Sequence, residues 1–594
     1  MEKWVVTAKR ADFYEIGKQF QIDPVVARII RNRDVVGTEA IEQYLHGDKS
    51  DLLDPHAMKD VERTAEFLRD ACIGKKKIRI IGDYDIDGIM STYILLEALT
   101  SCGAQVDYAI PDRIADGYGL NERLVRQAYE DGIDVILTCD NGIAAAAEIA
   151  LGKSLGMTIL VTDHHEVPYE ETEQGKTYLL PCADAVVDPK QATCAYPFKS
   201  LCGAGVAYKL IKVFYEKMER NAEEADDFLP YVAFATVGDV MDLIGENRIL
   251  VKEGLKGLRE TQNKGLRALM IQNKLDPAEL RTFHIGFILG PCLNASGRLD
   301  TATRALRLLR AAGEEEASEL AKDLTDLNES RKNMTSQGVE QAGVLAEECV
   351  LAGDKVLVLF LPDCHESLAG IIAGRIREKY NRPTFVLTRG EEGVKGSGRS
   401  IESYSMYDEL CRVKELFTKF GGHPMAAGFS LPEENVLVMR RRLNELTTLT
   451  EEDLIPKIRI DVPMPISYIT PRLIQELSYL EPFGKGNEKP VFADRNLTVL
   501  SLRVLGKNRN VCKMRVKAEE SAGGCILDAV WFGDSEQFLM TARQACGDNT
   551  VRALLEGRPR KEEMVISVVY APEINRFNGR ETIQIIIRNY AFAK

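Results

Sequence analysis

From residue 77 onward the chain alternates short aliphatic, β-branched runs with amphipathic segments. The runs are KIRIIGD, AQVDYAI, DVILTCD, MTILVTD and ADAVVD, and helical patterns such as GIMSTYILLEALTSC (88–102) and NERLVRQAYEDG (121–132) lie between them. Strands and helices alternating at this spacing predict an α/β domain with a doubly wound, mostly parallel sheet. Helical patterns follow at 203–219, 226–237 and 248–272. Residues 314–350 are charged and proline-free, which predicts one extended helix with solvated charge on most faces. A second α/β unit starts at KVLVLFL (355–361), continues through SLAGIIAGRIREKY and closes near 446. Beyond about 455 the period shortens to two in VCKMRVK, MVISVVYAPEI and TIQIIIRNY. With Asn578-Gly579 as a hairpin turn, that stretch predicts a small β-barrel or sandwich. The expected organisation is a helical cap at 1–70, a doubly wound domain at 71–310, a connecting helix at 311–352, a second α/β domain at 353–452 and a β-barrel domain at 453–594.

Composition narrows the function classes. A chain of 594 residues exceeds one hydrophobic core. The formal net charge of −14 is not that of a general polyanion binder, so any nucleic-acid site must be a local basic patch or rest on bound metal. The 13 cysteines include no C-x-x-C pair, which argues against a disulfide framework or thiolate zinc site and for a reducing cytosol. No apolar run is long enough to cross a bilayer, and MEKWVVTAKRADFYEIGKQF lacks a signal-peptide core. The expectation is a cytoplasmic protein without a membrane partner.

Acidic and imidazole residues fall where such a sheet would gather them. GDYDIDG places Asp83, Asp85 and Asp87 on alternate positions after the first strand. A calcium loop counted from Asp83 would need a bidentate acid at its twelfth position, which is Ile94, so the EF-hand reading fails. Asp140 follows the strand in DVILTCDNG, Asp163, His164 and His165 follow MTILVT, and Asp239 and Asp242 follow a helix in FATVGDVMD. A single Asp at a strand end is most often a cap or turn residue. Four clusters at successive element ends instead predict a shared site, because parallel strands deliver their C-terminal ends to one crevice. If 83–87 is extended, its three carboxylates share one side. Together they would be costly to ionise without cations, and the Asp/His set suits Mn2+ or Mg2+. Two such ions about 3.5–4 Å apart would clamp both oxygens of a phosphodiester displacement, with Asp140 the natural bridge.

At GDYDIDG, DNG, DHH and VGDVMD, in that order and spacing, the sequence resembles the DHH phosphoesterase superfamily. IPDRIADGYGLN, IGFILGPCLNASGRLDTA, CHESLAGIIAGRIREKYNRP, GSGRSI, GGHPMAAGFSL and LEPFGKGNEKPVF extend the resemblance, over roughly 70–594, to the family of bacterial single-strand-specific RecJ exonucleases. The resemblance implies a DHH domain, a DHHA1 domain and a C-terminal OB-fold. It implies that Asp83 and Asp85 hold one metal, that Asp87, His164 and Asp239 hold the other, and that Asp140 lies between them. His165 would face the scissile phosphate, and Asp163 would orient His164. Arg113, Asn294, Arg298, His365, Ser397, Arg399 and His423 would bind the substrate, the arginines and the GSGR segment forming a cationic pocket for a strand's 5′ end. Departures from the family pattern are Cys364 before His365, Asp242, and Gly398 in GSGRS; they bear on the shape of the nucleotide pocket, and none removes a metal ligand.

RVLGKNRNVCKMRVK (503–517) carries six basic residues and no acid. Lys513, Arg515 and Lys517 alternate on one strand face, which suits sequence-independent strand binding. Trp531, Phe532 and Phe577 are available for stacking, although a core position is the commoner fate of such aromatics. The reading is a metal-dependent 5′-to-3′ single-strand DNA exonuclease of repair and recombination, with a DHH-type phosphodiesterase acting on short oligoribonucleotides or dinucleotides as the alternative. By resemblance a single-strand-binding protein and a helicase are its partners and it works as a monomer.

Overall fold

The computed structural model describes residues 2–593 except 114, 173, 174, 391, 392, 507, 520–523 and 578, with backbone alone at 172 and 577. Its contacts divide the chain into two units, one of residues 52–456 and one combining 2–51 with 457–594.

In the first unit, strands β1 (Lys77–Ile81), β2 (Gln105–Ala109), β3 (Val135–Cys139), β4 (Thr158–Thr162) and β5 (Ala185–Val187) form a parallel sheet in the order β2-β1-β3-β4-β5. Alternate residues of one strand serve two cores. Val135, Leu137 and Cys139 join the layer containing helices α1 (Ile86–Ser101), α2 (Gly203–Lys217) and α3 (Leu229–Gly238), while Ile136 faces the helices at 122–130 and 146–154. Burial on both faces is why these strands read as unbroken apolar runs. The strand order reverses between β1 and β3, so their C-terminal ends open the crevice.

A continuous helical stretch at 282–299 contains a π-helical turn, Ile285–Leu289, before α4 (Gly290–Leu299). Then α5 (Glu314–Leu351) runs 38 residues, about 57 Å at the α-helical rise. It is less solvated than its charge suggested: Ala317, Ala321, Leu324, Ala342 and Ala346 make a buried stripe. The second sheet comprises β6 (Leu357–Phe360), β7 (Thr384–Gly390), β8 (Gly393–Arg399), β9 (Lys419–His423) and β10 (Ala426–Leu431), ordered β9-β10-β8-β7-β6, with α6 (Ala369–Tyr380) packed against β7 and β8.

The second unit is a barrel. Strands β11 (Val462–Pro463), β12 (Phe492–Leu505), β13 (Val511–Lys517), β14 (Ile526–Phe532), β15 (Val565–Phe577) and β16 (Arg580–Phe592) run in the order β11-β12-β13-β14-β16-β15, and β15 pairs back onto β12 to close five of them. Phe577 opposes Arg580 across the final hairpin; Asn578 lies outside the described residues.

The structure departs from the sequence reading in four places. The segment at 1–70 is not one cap. A strand at Lys3–Val6 pairs with Lys457–Ile460, and Ile29, Ile30, Ile41 and Leu45 enter the barrel's core, whereas the helix Val61–Ile73 packs on the first unit. Pairing over more than 450 residues of sequence leaves no local signal. The helix expected over 248–272 breaks after Arg259 and restarts at Lys264, with the Asn263 side chain capping the restart. The barrel region carries three α-helices, Pro471–Ser478, Ser535–Cys546 and Asp548–Glu556, where only strands were expected. Finally, residues 83–87 are not extended, since α1 has already begun at Ile86.

Candidate metal centre and anion pocket

Each acidic residue reaches the crevice by a different local device. Asp83 lies in the turn after β1, and Asp85 is the N-cap of α1, its Oδ1 accepting from the Asp87 and Gly88 amides at 3.0 and 3.1 Å. Asp87 sits in the first helical turn, and its oxygens accept from the Gly203 and Ala204 amides at 2.6 and 2.7 Å. The N-terminus of α2 thus neutralises it in part. Glycine is required for this approach, because a Cβ at Gly203 would lie 2.8 Å from Asp140 Cβ and one at Gly88 2.5 Å from the Asp83 carbonyl oxygen. Asp140 itself takes φ 61°, a left-handed conformation that aspartate tolerates better than most residues. Asp239 caps the C-terminal end of α3.

The outcome is two adjoining groups, Asp83–Asp85–Asp140 and Asp87–His164–Asp239, with Asp140 also grouped with His164 and His165; within each group the candidate ligand atoms lie within 4.8 Å of one another. The family resemblance implies the same partition, although the extended segment that the sequence pattern invoked is absent. Burial, then mutual repulsion, raises Asp83 and Asp140 well above the usual carboxylate range; Asp87 is raised by burial against the pull of His164. Burial lowers His164, which keeps its imidazole neutral and able to ligate. His164 Nε2 lies 3.0 Å from Asp140 Oδ1 and 3.5 Å from Asp87 Oδ2. Yet Asp140 Oδ1, Asp83 Oδ2 and His164 Nδ1 are buried without a hydrogen-bond partner. Buried acceptors left without partners in both groups fit divalent cations, which would supply the missing partners.

Asp163 does not orient the His164 ring as expected. Its Oδ1 accepts from the amides of His164 and His165 at 2.7 and 3.1 Å and contacts His165 Nδ1 at 2.7 Å, and its Oδ2 accepts from the Ile143 amide. The pair separates in charge. Burial opposes the imidazolium, but the Asp163 hydrogen bond and charge together with Asp87 and Asp239 outweigh it and raise His165 to about 9. Burial likewise works against the Asp163 carboxylate, which the His165 contact, the charge of both imidazoles and the Ile143 amide hold low. Sequence reasoning missed Tyr118, whose hydroxyl donates to the Asp140 carbonyl at 2.8 Å and sits 3.1 Å from His165 Nδ1. Tyr118 therefore ties the backbone at Asp140 to the His165 imidazole. Tyr118→Phe should lower kcat about 3–10-fold, the worth of one such hydrogen bond, with KM for single strands unchanged. A loss confined to KM, or no loss, in steady-state kinetics would remove this role.

The second feature is a cavity of about 500 Å3 lined by Tyr84, Arg113, Arg298, Ser397, Arg399 and the start of α6 among others. Tyr84 stands between Asp83 and Asp85 in sequence, and Arg113 lies over its ring at 4.4 Å, so the cavity adjoins the acidic crevice. Arg298 Nη1 donates to the Ser367 carbonyl at 2.8 Å, and Arg399 Nη1 donates to Ser397 Oγ at 3.2 Å. Burial, then Arg113, lowers Arg298 to about 10, and burial lowers Arg399. Arginines held this way gain from an anion. A Cβ at Gly370 would meet Arg399 Nη2 at 2.7 Å, so glycine lets the amino end of α6 join them. Lys395 and Lys419 also line the cavity, and neither was foreseen.

Not every expected residue is there. His365 instead caps the turn Glu366–Leu368 through Ser367. Asn294 is half-buried and His423 exposed at the end of β9; none of the three lines the cavity as described. The departure at Gly398 faces the core, since a Cβ there would strike Phe385 and Met406 at 2.8 Å. On the barrel, Cys512, Met514 and Val516 are buried while Lys513, Arg515 and Lys517 take the other face, as the alternation predicts. Asp528 offsets that face, 2.9 Å from Lys513 and 4.0 Å from Arg515. Trp531 packs edge-on against Tyr590, and Phe532 is exposed; the Phe577 side chain lies outside the described residues.

Comparison with known proteins decides the family. The profile of the DHH family, N-terminal domain, matches residues 77–236, that of the DHHA1 domain 353–448 and that of the RecJ OB domain 460–589. The single-stranded-DNA-specific exonuclease RecJ of Bacillus subtilis is 36% identical over 97% of this chain and 69% of that protein. The Escherichia coli enzyme of the same description is 34% identical over 96% of each chain. This chain belongs to the RecJ family. Its fold matches the crystal structure of RecJ in complex with Mn2+ from Thermus thermophilus with a TM-score of 0.80 at 25% identity, over 100% of this chain and 80% of that one. A further RecJ structure, bound to manganese, matches 67% of this chain and 96% of its own at 31% identity. RecJ membership accounts for the order DHH domain, long helix, DHHA1 domain and OB barrel. Among the described residues no helix is long and apolar enough to cross a membrane.

Proposed function

We propose that this chain is a metal-dependent 5′-to-3′ exonuclease that hydrolyses single-stranded DNA to mononucleotides, working in repair and recombination. The observation that carries the proposal is the junction at Tyr84: a two-group acidic and imidazole centre on one side, a guanidinium-lined cavity on the other. The curated relatives act on single-stranded DNA, and the solved RecJ structures contain Mn2+. In this reading Asp83 and Asp85 hold one divalent cation and Asp87, His164 and Asp239 a second, with Asp140 shared. Bound there, Mn2+ or Mg2+ would neutralise phosphate charge and make water a better nucleophile at neutral pH.

The chain's own groups set polarity and orientation. Arg113, Arg298, Ser397 and Arg399 grip the 5′-terminal phosphate, which places the adjoining internucleotide linkage at the acidic crevice. His165, kept cationic by Asp163, donates a hydrogen bond to a non-bridging oxygen as charge develops there. The basic face of the barrel, at Lys513, Arg515 and Lys517, holds strand backbone without regard to sequence. A single-strand-binding protein and a helicase would supply substrate to a cytoplasmic monomer.

The test offers 5′- or 3′-labelled single-stranded DNA, duplex and RNA with Mn2+ or Mg2+. Mononucleotides should leave the 5′ end of single-stranded DNA only, and none after chelation. Release from RNA alone, or equally from both DNA ends, would overturn the proposal.

A further inference from the structure

The helical stretch at 282–299 carries two features that neither the centre nor the cavity uses. Phe283 and Phe287 are 58% and 69% exposed, and their rings stack at 5.1 Å between centroids with 25° between planes. Phe283 precedes the π-helical turn Ile285–Leu289 and Phe287 lies within it, a geometry that recurs at functional sites. Large aromatics this exposed forfeit the burial that usually accounts for them.

Their surroundings indicate what they meet. The same helix is seated on the metal-bearing segments: a Cβ at Gly286 would touch Val237 at 3.7 Å, two residues before Asp239, and one at Gly290 would meet Ile86 at 3.2 Å, between Asp85 and Asp87. The same helical stretch runs on from Phe287 to Arg298, which lies inside the cationic cavity, about 16 Å along the axis. That is a reach of a few nucleotides.

We propose that Phe283 and Phe287 form a stacking platform for the bases of the single strand, a few nucleotides inward from the end gripped by Arg298; this rests on the nuclease reading above. Every base offers a π face, so the platform reads no sequence. It favours single strands, because in a duplex the faces of the bases are covered by the pairs stacked above and below them.

The test uses the full chain with Phe283→Ala, Phe287→Ala and both together; the exposed positions spare the core. KM is measured on a long 5′-phosphorylated oligothymidine, on the same strand with abasic residues at its third to sixth positions, and on 5′-phosphorylated dithymidine. The double variant should raise KM on the long strand about 10-fold, change it little on the abasic strand, and leave dinucleotide hydrolysis as in the wild type. An unchanged KM on the long strand overturns the proposal, as does an equal loss on the dinucleotide. So does a variant that alters only the mass of the protein in solution, which would assign the pair to a contact between copies. A wild type that releases nothing from single strands removes the nuclease reading itself; a wild type that does, beside an unaffected double variant, removes only the platform.

Discussion

Asp140→Asn should reduce kcat on single-stranded DNA by at least about 1000-fold while leaving the metal-free protein as stable as the wild type. Asp140 is grouped with Asp83 and Asp85 on one side and with His164 and His165 on the other, so it stands where it could serve both cation positions. Replacing one of its oxygens with an amide nitrogen removes an anionic ligand from both sides, and losses of transition-state charge stabilisation at such positions are worth several kcal/mol. Asparagine is the cleaner replacement. It keeps the volume against Gly203 and tolerates φ 61°, which alanine does not. Without cations the buried carboxylates repel one another, as their raised pKa values record, so removing one relieves strain. Thermal unfolding in chelator separates the two effects, and Mn2+ should raise the midpoint of the wild type more than that of the variant. Turnover within about tenfold of wild type would refute the shared-ligand assignment.

Arg399→Ala should weaken binding of 5′-phosphorylated strands by about 10–100-fold and that of 5′-hydroxyl strands far less. The guanidinium is half-buried, oriented by Ser397 and the Gly398 carbonyl, and set against the amino end of α6. A charge-assisted hydrogen bond in such a place is worth about 1.5–3 kcal/mol, which is that range of affinity. Lysine should not restore it, since a point charge cannot reproduce the planar fork. Equal loss on the two kinds of end, in equilibrium binding with the Asp140→Asn background preventing cleavage, would show that the cavity does not read the terminal phosphate.

The two sites differ in how far they could be read in advance. The six candidate metal ligands were legible because chemistry and topology agree: carboxylates placed just past buried strands must converge at the mouth of a parallel sheet. The partition into two groups nevertheless came from resemblance, since residues 83–87 are not the extended chain that the local picture of three alternating carboxylates assumed. What seats them is a strand end, a helix cap and a first helical turn, with the amides of α2 meeting Asp87 from 116 residues away. The cavity was half-read. Arg113, Arg298, Ser397 and Arg399 line it, whereas His365 and His423 do not and Lys395 and Lys419 do, because which side of a strand or turn faces a cleft depends on the second sheet's register.

Alone, the sequence determined the alternating α/β architecture, the alternation of the barrel's basic strand and the identity of the ionisable groups, since each is written in periods of two or 3.6 residues or in side-chain chemistry itself. Tertiary structure decided the rest: that residues 2–51 belong with the barrel, that Asp163 serves His165, that Tyr118 links His165 to Asp140, and that Phe283 and Phe287 stay in the open. Most of those outcomes depend on approaches between segments apart in the chain, as does the seating of Asp140 against Gly203, where a Cβ would strike its side chain, and such approaches leave no periodic mark on the residues that make them.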